Sequence, residues 1–385
     1  MRSPTQEFAA SSALESGGML RTIEIYAQRI SPKTEFLFVR IGTSQDIEGW
    51  GEATYNALNG QVIVTLRQFS EAILGKSLAK ALEILGDHPN WKYGRASAIA
   101  VNALLTALFD ILGKEVGRSL SALFAEPIHS KINCYANINR GTTTRSPDGW
   151  AKRAQAAQAA GFSGIKLAPF DSVKLGLDEK SKGNADFGIE CARTVRAAVG
   201  SKAGLMLDCH WRFDEPSASA LIQECGELDL AWIEAPIIED YLAIPALLRL
   251  KDVAHTAGMN LAGGEYHMGK RAFAPFLQEK VYDVANPDVR FCGILDMFEI
   301  AVIAAENGIA IAPHNHLGPV MSAVSLHFAS IAPSASTLEM QFAEGDIISC
   351  LIDPDQLSPS GGYMDVPTAP GLGIVMNHDV LNLVE

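Results

Sequence analysis

Seven residues able to act as acid, base or metal ligand recur along this chain at nearly regular intervals: Lys166, Asp208, Glu234, Glu265, Asp288, His314 and Glu339. They fall in short apolar runs, GIKLAPF, GLMLDCH, LAWIEAP, NLAGGEY, VANPDV, IAIAPHN and TLEMQF. Intervals of roughly 25 to 40 residues are what a strand, a helix and two loops consume in a (β/α)₈ barrel. Buried parallel strands read as apolar runs, and chemistry in such barrels stands where the strands end. The spacing proposes a fold and an active site together.

Asp208, Glu234 and Glu265 would end the third, fourth and fifth strands of that barrel. Adjacent strands lie about 4.8 Å apart, so three carboxylates at neighbouring ends can converge on one point. Like charges that close repel one another unless a cation neutralises them. An all-oxygen set without cysteine selects a hard ion, and Mg²⁺ is the common intracellular choice. The competing reading, that each acid only caps the following helix, needs three coincidences in successive units. His314 has Asp288 on the neighbouring strand, where a carboxylate can accept the Nδ1 proton and raise the basicity of Nε2. That makes His314 a general base or acid; without its partner it would read as a structural loop histidine. His210 follows Asp208 by two and would share its face on a strand, a second proton-transfer group. His316 belongs to the same loop as His314 and is a weaker candidate. Lys166 would end the second strand, where the bland alternative is a surface ion pair. Glu339 would end the eighth, and a neutral carboxylic acid there could hydrogen-bond developing negative charge.

These residues need elements to carry them. Arg21 to Ile30 and Glu35 to Gly42 read as strands, IEGWGEA adds a third piece ending at Glu52, and Ser97 to Leu112 reads as a buried helix closed by Gly113. Strands succeeded by helices make an α+β unit distinct from the rest of the chain. From Lys131 the pattern becomes strict strand–helix alternation, beginning with KINCYANI. No Gly-rich first turn of a dinucleotide-binding sheet is present. The Gly- and Pro-rich tail cannot add to a closed barrel and is expected to return to the first unit. The expected division is a disordered leader over 1–18, an α+β capping domain over 19–130 with 351–385, and a catalytic barrel over 131–350. The leader is small and polar, lacks the apolar segment of a secretory signal, and has Met19 as an alternative start.

The 385 residues carry a formal charge of −13 with no compensating basic patch, which argues against a nucleic-acid partner. Six cysteines without CxxC spacing read as reduced thiols. No run approaches the roughly 20 apolar residues that span a bilayer. A soluble, cytoplasmic protein with no membrane partner is expected.

On these residues the chain resembles the enolase superfamily, in its mandelate racemase-like branch, and most of all the acid-sugar dehydratases of galactonate type. The likeness runs from about Leu20 to the end, through GWGEA, LDCH, WIEAP, GGE, NPDVRFCGI, APHNHLGPVMSAVSLH and PGLGI. It implies an α/β protein: an N-terminal α+β capping domain over a modified barrel, with Mg²⁺ held by Asp208, Glu234 and Glu265. It implies removal of the proton α to a carboxylate, then loss of a 3-hydroxyl to give a 2-keto-3-deoxy acid. His314 with Asp288 would serve as base and His210 as acid, the reverse order staying open; Lys166 and Glu339 would meet the developing charge. The substrate would be a small carboxylate, contacted by Tyr55, Tyr266, His267 and His316, with specificity set by cap loops and by the loops after strands two and five. Relatives commonly form homo-oligomers. One departure matters: many relatives carry a KxK pair on strand two, and here the second position is Ala168. Its absence weighs against lysine-based racemisation. C2 epimerisation using His314 and His210 remains an alternative, as does a barrel that has lost catalysis. A hydrolase barrel with metal-binding HxH on the first strand does not fit KINCYANI.

Overall fold

The computed structural model describes residues 18–86, 94–174 and 179–384. The leader expected over 1–18 lies outside them except for Gly18, as do residues 175–178 of the loop after Lys166.

Three antiparallel strands open the chain: β1 (Leu20–Arg29), β2 (Glu35–Thr43) and β3 (Glu48–Glu52). Helices α1 (Asn59–Ile73), α2 (Leu78–Gly86) and α3 (Arg95–Val116) come next. The GWG motif explains how α3 reaches the sheet. A Cβ on Gly49 or Gly51 would lie 2.1 Å from Ala107 O or 2.0 Å from Ala103 O, so only glycine lets helix and strand touch backbone to backbone. Among the described residues α3 is one helix long and apolar enough, by length and composition alone, to cross a membrane. It is buried continuously from Ser97 to Gly113, as the core of the cap. Nor does it end at Gly113. It runs to Val116 and closes on Gly117 in the left-handed conformation. Gly113 serves another purpose: a Cβ there would meet the Gly371 backbone at 2.7 Å, so the tail packs directly on the helix.

After α4 (Leu120–Phe124) come eight parallel strands. They are β4 (Lys131–Asn137), β5 (Gly164–Leu167), β6 (Gly204–Asp208), β7 (Trp232–Glu234), β8 (Asn260–Gly263), β9 (Val284–Ala285), β10 (Ala310–Ile311) and β11 (Leu338–Gln341). Each pairs with its predecessor up to β10, and β11 pairs back to β4. Between them lie α5 (Pro147–Ala159), α6 (Glu179–Val199), α7 (Glu215–Glu224), α8 (Ile244–Thr256), α9 (Gly269–Gln278), α10 (Val289–Glu306) and α11 (Pro319–Ile331). The last two strands before β11 are only two residues long. Pro287 and Pro313 stand just beyond them, and a residue without an N–H cannot extend a ladder. The curled sheet meets itself between β10 and β11 at a single bridge, Ile311 to Ala335.

The tail departs partly from expectation. After α12 (Ile348–Leu351), β12 (Tyr363–Asp365) does add to the barrel sheet, antiparallel to the start of β4. It can do so because that segment of β4 pairs with β11 only from Cys134 onward. The final β13 (Asn382–Leu383) then returns to the cap and pairs with β1.

The cap sits over the C-terminal ends of the barrel strands. Glu52 accepts hydrogen bonds from Gly318 N (2.8 Å) and Met321 N (3.2 Å) at the start of α11. Asn102 of α3 donates to Arg290 O (2.8 Å), and Arg290 Nη1 donates to Thr54 O (3.3 Å). Arg140, beyond β4, donates to Thr34 Oγ1 (3.0 Å). Farther off, His327 of α11 lies 3.2 Å from Ser121 Oγ and 3.0 Å from Leu372 O, joining barrel, α4 and tail.

Candidate active site

Asp208 and Glu234 are the last residues of β6 and β7 and stand opposite each other in register. Glu265 lies two residues past β8. One ligand oxygen from each lies within 4.8 Å of the others, and all three side chains are buried. Glu265 Oε2 is buried in this all-oxygen cluster, with His314 Nε2 beside it at 2.8 Å. Burial with the nearby charges of Asp208, Glu339 and Glu265 pushes the Glu234 carboxyl up to about 7, against the pull of Lys166. Burial pushes Asp208 the same way, but the charges of His210 and Lys166 outweigh it and hold its carboxyl well below the usual range. The all-oxygen donor set, without cysteine, and its convergence fit a hard divalent cation.

Lys166 on β5 is wholly buried. Its Nζ lies 2.9 Å from Glu234 Oε1, 2.8 Å from Glu339 Oε1 and 3.6 Å from Asp208 Oδ2. Burial disfavours its charge, yet the surrounding carboxylates raise its pKa well above the ordinary value. Glu339, expected as a neutral acid, is surrounded by donors in this geometry. Glu339 accepts from Lys166, from Asn137 Nδ2 (2.6 Å) and from Asn315 N (3.1 Å). Burial raises its pKa, but the charges of Lys166 and His314 and the hydrogen bonds from Lys166 and Asn137 bring it below the usual value.

His314 lies three residues beyond β10, with Nδ1 2.8 Å from Asp288 Oδ2 and Nε2 2.8 Å from Glu265 Oε2. Asp288 is the N-cap of α10, accepting from Arg290 N at 2.8 Å. The bland capping role and the orienting role therefore belong to one side chain. Arg290 folds back on it, with Nε 3.1 Å from both oxygens and Nη2 2.5 Å from Oδ2. Against burial, the Arg290 charge and the His314 bond hold the Asp288 carboxyl at about 2. An ionised Asp288 accepts only, which puts a proton on Nδ1, and against burial the charges of Glu265 and Glu339 facing Nε2 raise the His314 pKa well above its ordinary value.

His210 reaches the site by a route that strand alternation does not foresee. β6 stops at Asp208, so the two-residue periodicity no longer applies. His210 and Trp211 instead adopt left-handed backbone, φ 46° and 57°, and Ala235 on the next loop does the same at 45°. The turn brings His210 Nε2 to 3.1 Å from Asp208 Oδ2. Burial lowers its pKa, but the Asp208 charge and hydrogen bond carry it up to about 9. Non-glycine residues held in this conformation cluster at functional sites.

Of the four expected substrate contacts, His316 is nearest the centre, its Nδ1 3.1 Å from His314 Nε2. Tyr266 stacks on Trp211 at 4.8 Å, with Arg95 of α3 4.3 Å from its ring centroid. Tyr55 from the cap packs edge-on to Phe291 at 6.0 Å, and Phe291 likewise meets Tyr266. His267 is not brought into the cluster. It is buried behind it against Phe273 and Phe276, with Nε2 3.0 Å from Tyr282 OH. His267 N donates to Gly264 O (3.1 Å), closing a turn across Glu265 and Tyr266. Arg290, Asn137 and Asn315 were missed by sequence reasoning. The first had a signal, an arginine two residues after an acid on the His314 side of the barrel; the asparagines had none.

The family description "Mandelate racemase / muconate lactonizing enzyme, N-terminal domain" matches residues 20–125, and "Enolase C-terminal domain-like" matches residues 149–380. The chain is 24% identical over 371 residues to D-galactonate dehydratase of Pectobacterium atrosepticum, covering 94% of each. It is 24% identical over 364 residues to the enzyme of the same name from Ralstonia pickettii, covering 92% of each. Solved structures of similar fold include a putative dehydratase from Mesorhizobium loti, with TM-score 0.82 and 21% identity over 94% of this chain and 97% of that one. Another, from Zymomonas mobilis, has TM-score 0.83 and 22% identity over 95% of this chain and 98% of that one.

Proposed function

The chain belongs to the enolase superfamily, in its mandelate racemase / muconate lactonizing enzyme branch, and from that premise we propose that it is a Mg²⁺-dependent dehydratase of a sugar acid. The observation that carries the reading is His314: tied through Nδ1 to an ionised Asp288, it presents Nε2 beside three converging buried carboxylates. Asp208, Glu234 and Glu265 would hold the metal. When bound, it supplies Lewis-acid stabilisation of the negative charge that gathers on a substrate carboxylate as its α-carbon is deprotonated.

His314 Nε2 takes the proton from the carbon next to the carboxylate, and the C–H electrons pass into that carboxylate as an enediolate. Asp288, held in place by Arg290, keeps the imidazole aligned and stabilises the charge it gains. Lys166 adds a fixed positive charge where negative charge develops. His210 gives its proton to the departing 3-hydroxyl, which leaves as water. The resulting enol takes up a proton at C3 and becomes a 2-keto-3-deoxy acid. The two relatives named as D-galactonate dehydratases support an aldonate or aldarate as the substrate class. The test is to incubate aldonates and aldarates with enzyme and Mg²⁺ and assay for a 2-keto-3-deoxy product. Dehydration of at least one acid, abolished by EDTA, is expected. Exchange of the α-hydrogen in D₂O without loss of water would replace dehydration with C2 epimerisation.

A further inference from the structure

Glu239 has no place in the dehydration chemistry, and no periodic signal marks it in the sequence. It stands on the loop after β7, five residues beyond Glu234. One carboxylate oxygen accepts from the Trp211 indole Nε1 (3.0 Å), on the loop after β6. The other accepts from Gly264 N (3.0 Å), on the loop after β8. Trp211 comes three residues after Asp208, and Gly264 immediately precedes Glu265. A single side chain thus bridges the loops that carry all three acids.

The local sequence is arranged around this bridge. A Cβ on Gly263 would fall 1.9 Å from Glu239 Oε1, so the first glycine of the GGE motif makes room for the carboxylate. The second, Gly264, turns its N–H toward Glu239 with φ at 99°. Trp211 is itself in left-handed backbone, and its N–H bonds Ala235 O at 2.7 Å, while Ala235, also left-handed, bonds Ala262 O at 3.1 Å. Strained conformations of this kind persist only where the surroundings over-determine them. The Trp211–Glu239 bond is one such constraint.

We infer that Glu239 is a positioning residue for the metal centre, fixing the mutual placement of Asp208, Glu234 and Glu265 without being a ligand. The inference rests on the metal-binding reading of those three acids, and its test separates the two. Mn²⁺ is the probe, monitored by electron paramagnetic resonance and titration calorimetry on the full-length protein. The variants are Glu239→Ala, Glu239→Gln, Trp211→Phe and Gly263→Ala, with the melting temperature of each in EDTA as the folding control. Expected is a loss of Mn²⁺ affinity of about 10-fold or more for Glu239→Ala. Trp211→Phe, which removes only the bond to the β6 loop, and Glu239→Gln, which keeps one accepting oxygen, should lose less. Gly263→Ala, which displaces the carboxylate, should resemble Glu239→Ala and alter the Mn²⁺ line shape in the same way. Should Glu239→Ala not fold, Trp211→Phe carries the test. Unchanged affinity in the folded variants overturns the inference, as does a loss that only tracks a fall in the EDTA melting temperature. Failure of the unmodified protein to bind Mn²⁺ removes the metal reading and this inference with it.

Discussion

Each group around His314 constrains the next. Arg290 keeps Asp288 ionised, Asp288 fixes the imidazole tautomer, and the imidazole faces Glu265. Removing the last member should cost the proton transfer and little else. His314→Asn is expected to lower turnover by roughly 100- to 10,000-fold while the melting temperature still rises on adding Mg²⁺. Loss of that rise would assign His314 to the metal instead. The residue types were legible before the fold because Asp208, Glu234 and His314 sit at strand ends, where spacing alone predicts convergence. Glu239 was not, and of Arg290 only its place two residues after Asp288 was. Whether a charged side chain on a loop turns inward depends on neighbours from other parts of the chain, which no local pattern records. The surroundings of Glu339 were not legible either, because the lysine and two asparagines that donate to it come from β5, β4 and the His314 loop.

Among the elements, the junction of β3 and α3 shows how much depends on atoms that are missing. Gly51 lies under Ala103 O with no room for a methyl group, whereas Gly60 of α1 has nothing within 4 Å of its Cβ position. The same substitution should therefore have opposite signs. Gly51→Ala is expected to destabilise by at least about 1–3 kcal/mol, since backbone cannot yield as a side chain can. Gly60→Ala should be neutral or stabilise by up to about 1 kcal/mol through helix propensity. Urea midpoints with unchanged m-values would check both. Periodicity located α3 but misread its end, taking Gly113 as a stop. A glycine that admits a neighbouring backbone looks the same in sequence as one that ends a helix.

For the molecule as a whole, cohesion of cap, barrel and tail runs partly through His327, buried between Ser121 and Leu372 O. Burial lowers its pKa to about 4, against the bond to Leu372 O, which raises it. The unfolded chain takes up this proton near pH 6.5 while the folded one resists until about 4, so the stability it contributes is complete above 6.5 and lost as pH falls through that window. His327→Gln should flatten the acid side of the stability curve by up to about 1.4 kcal/mol per pH unit, the slope of one proton. A curve parallel to the parent's between pH 6.5 and 4 would contradict this. The two-part architecture was legible from the change at Lys131 to strand–helix alternation. The added strand β12 was not, because its partner edge exists only where β11 leaves the start of β4 free.

The enclosure of Lys166 bears on how protons move. A cation buried from solvent, and gripped by acids that raise its affinity for hydrogen ions, holds its proton tightly. It behaves as a fixed electrode: its potential reaches the reacting atoms, but it relays nothing. Amine-directed reagents should pass it by in the native protein, and all proton traffic of the reaction falls to the imidazoles.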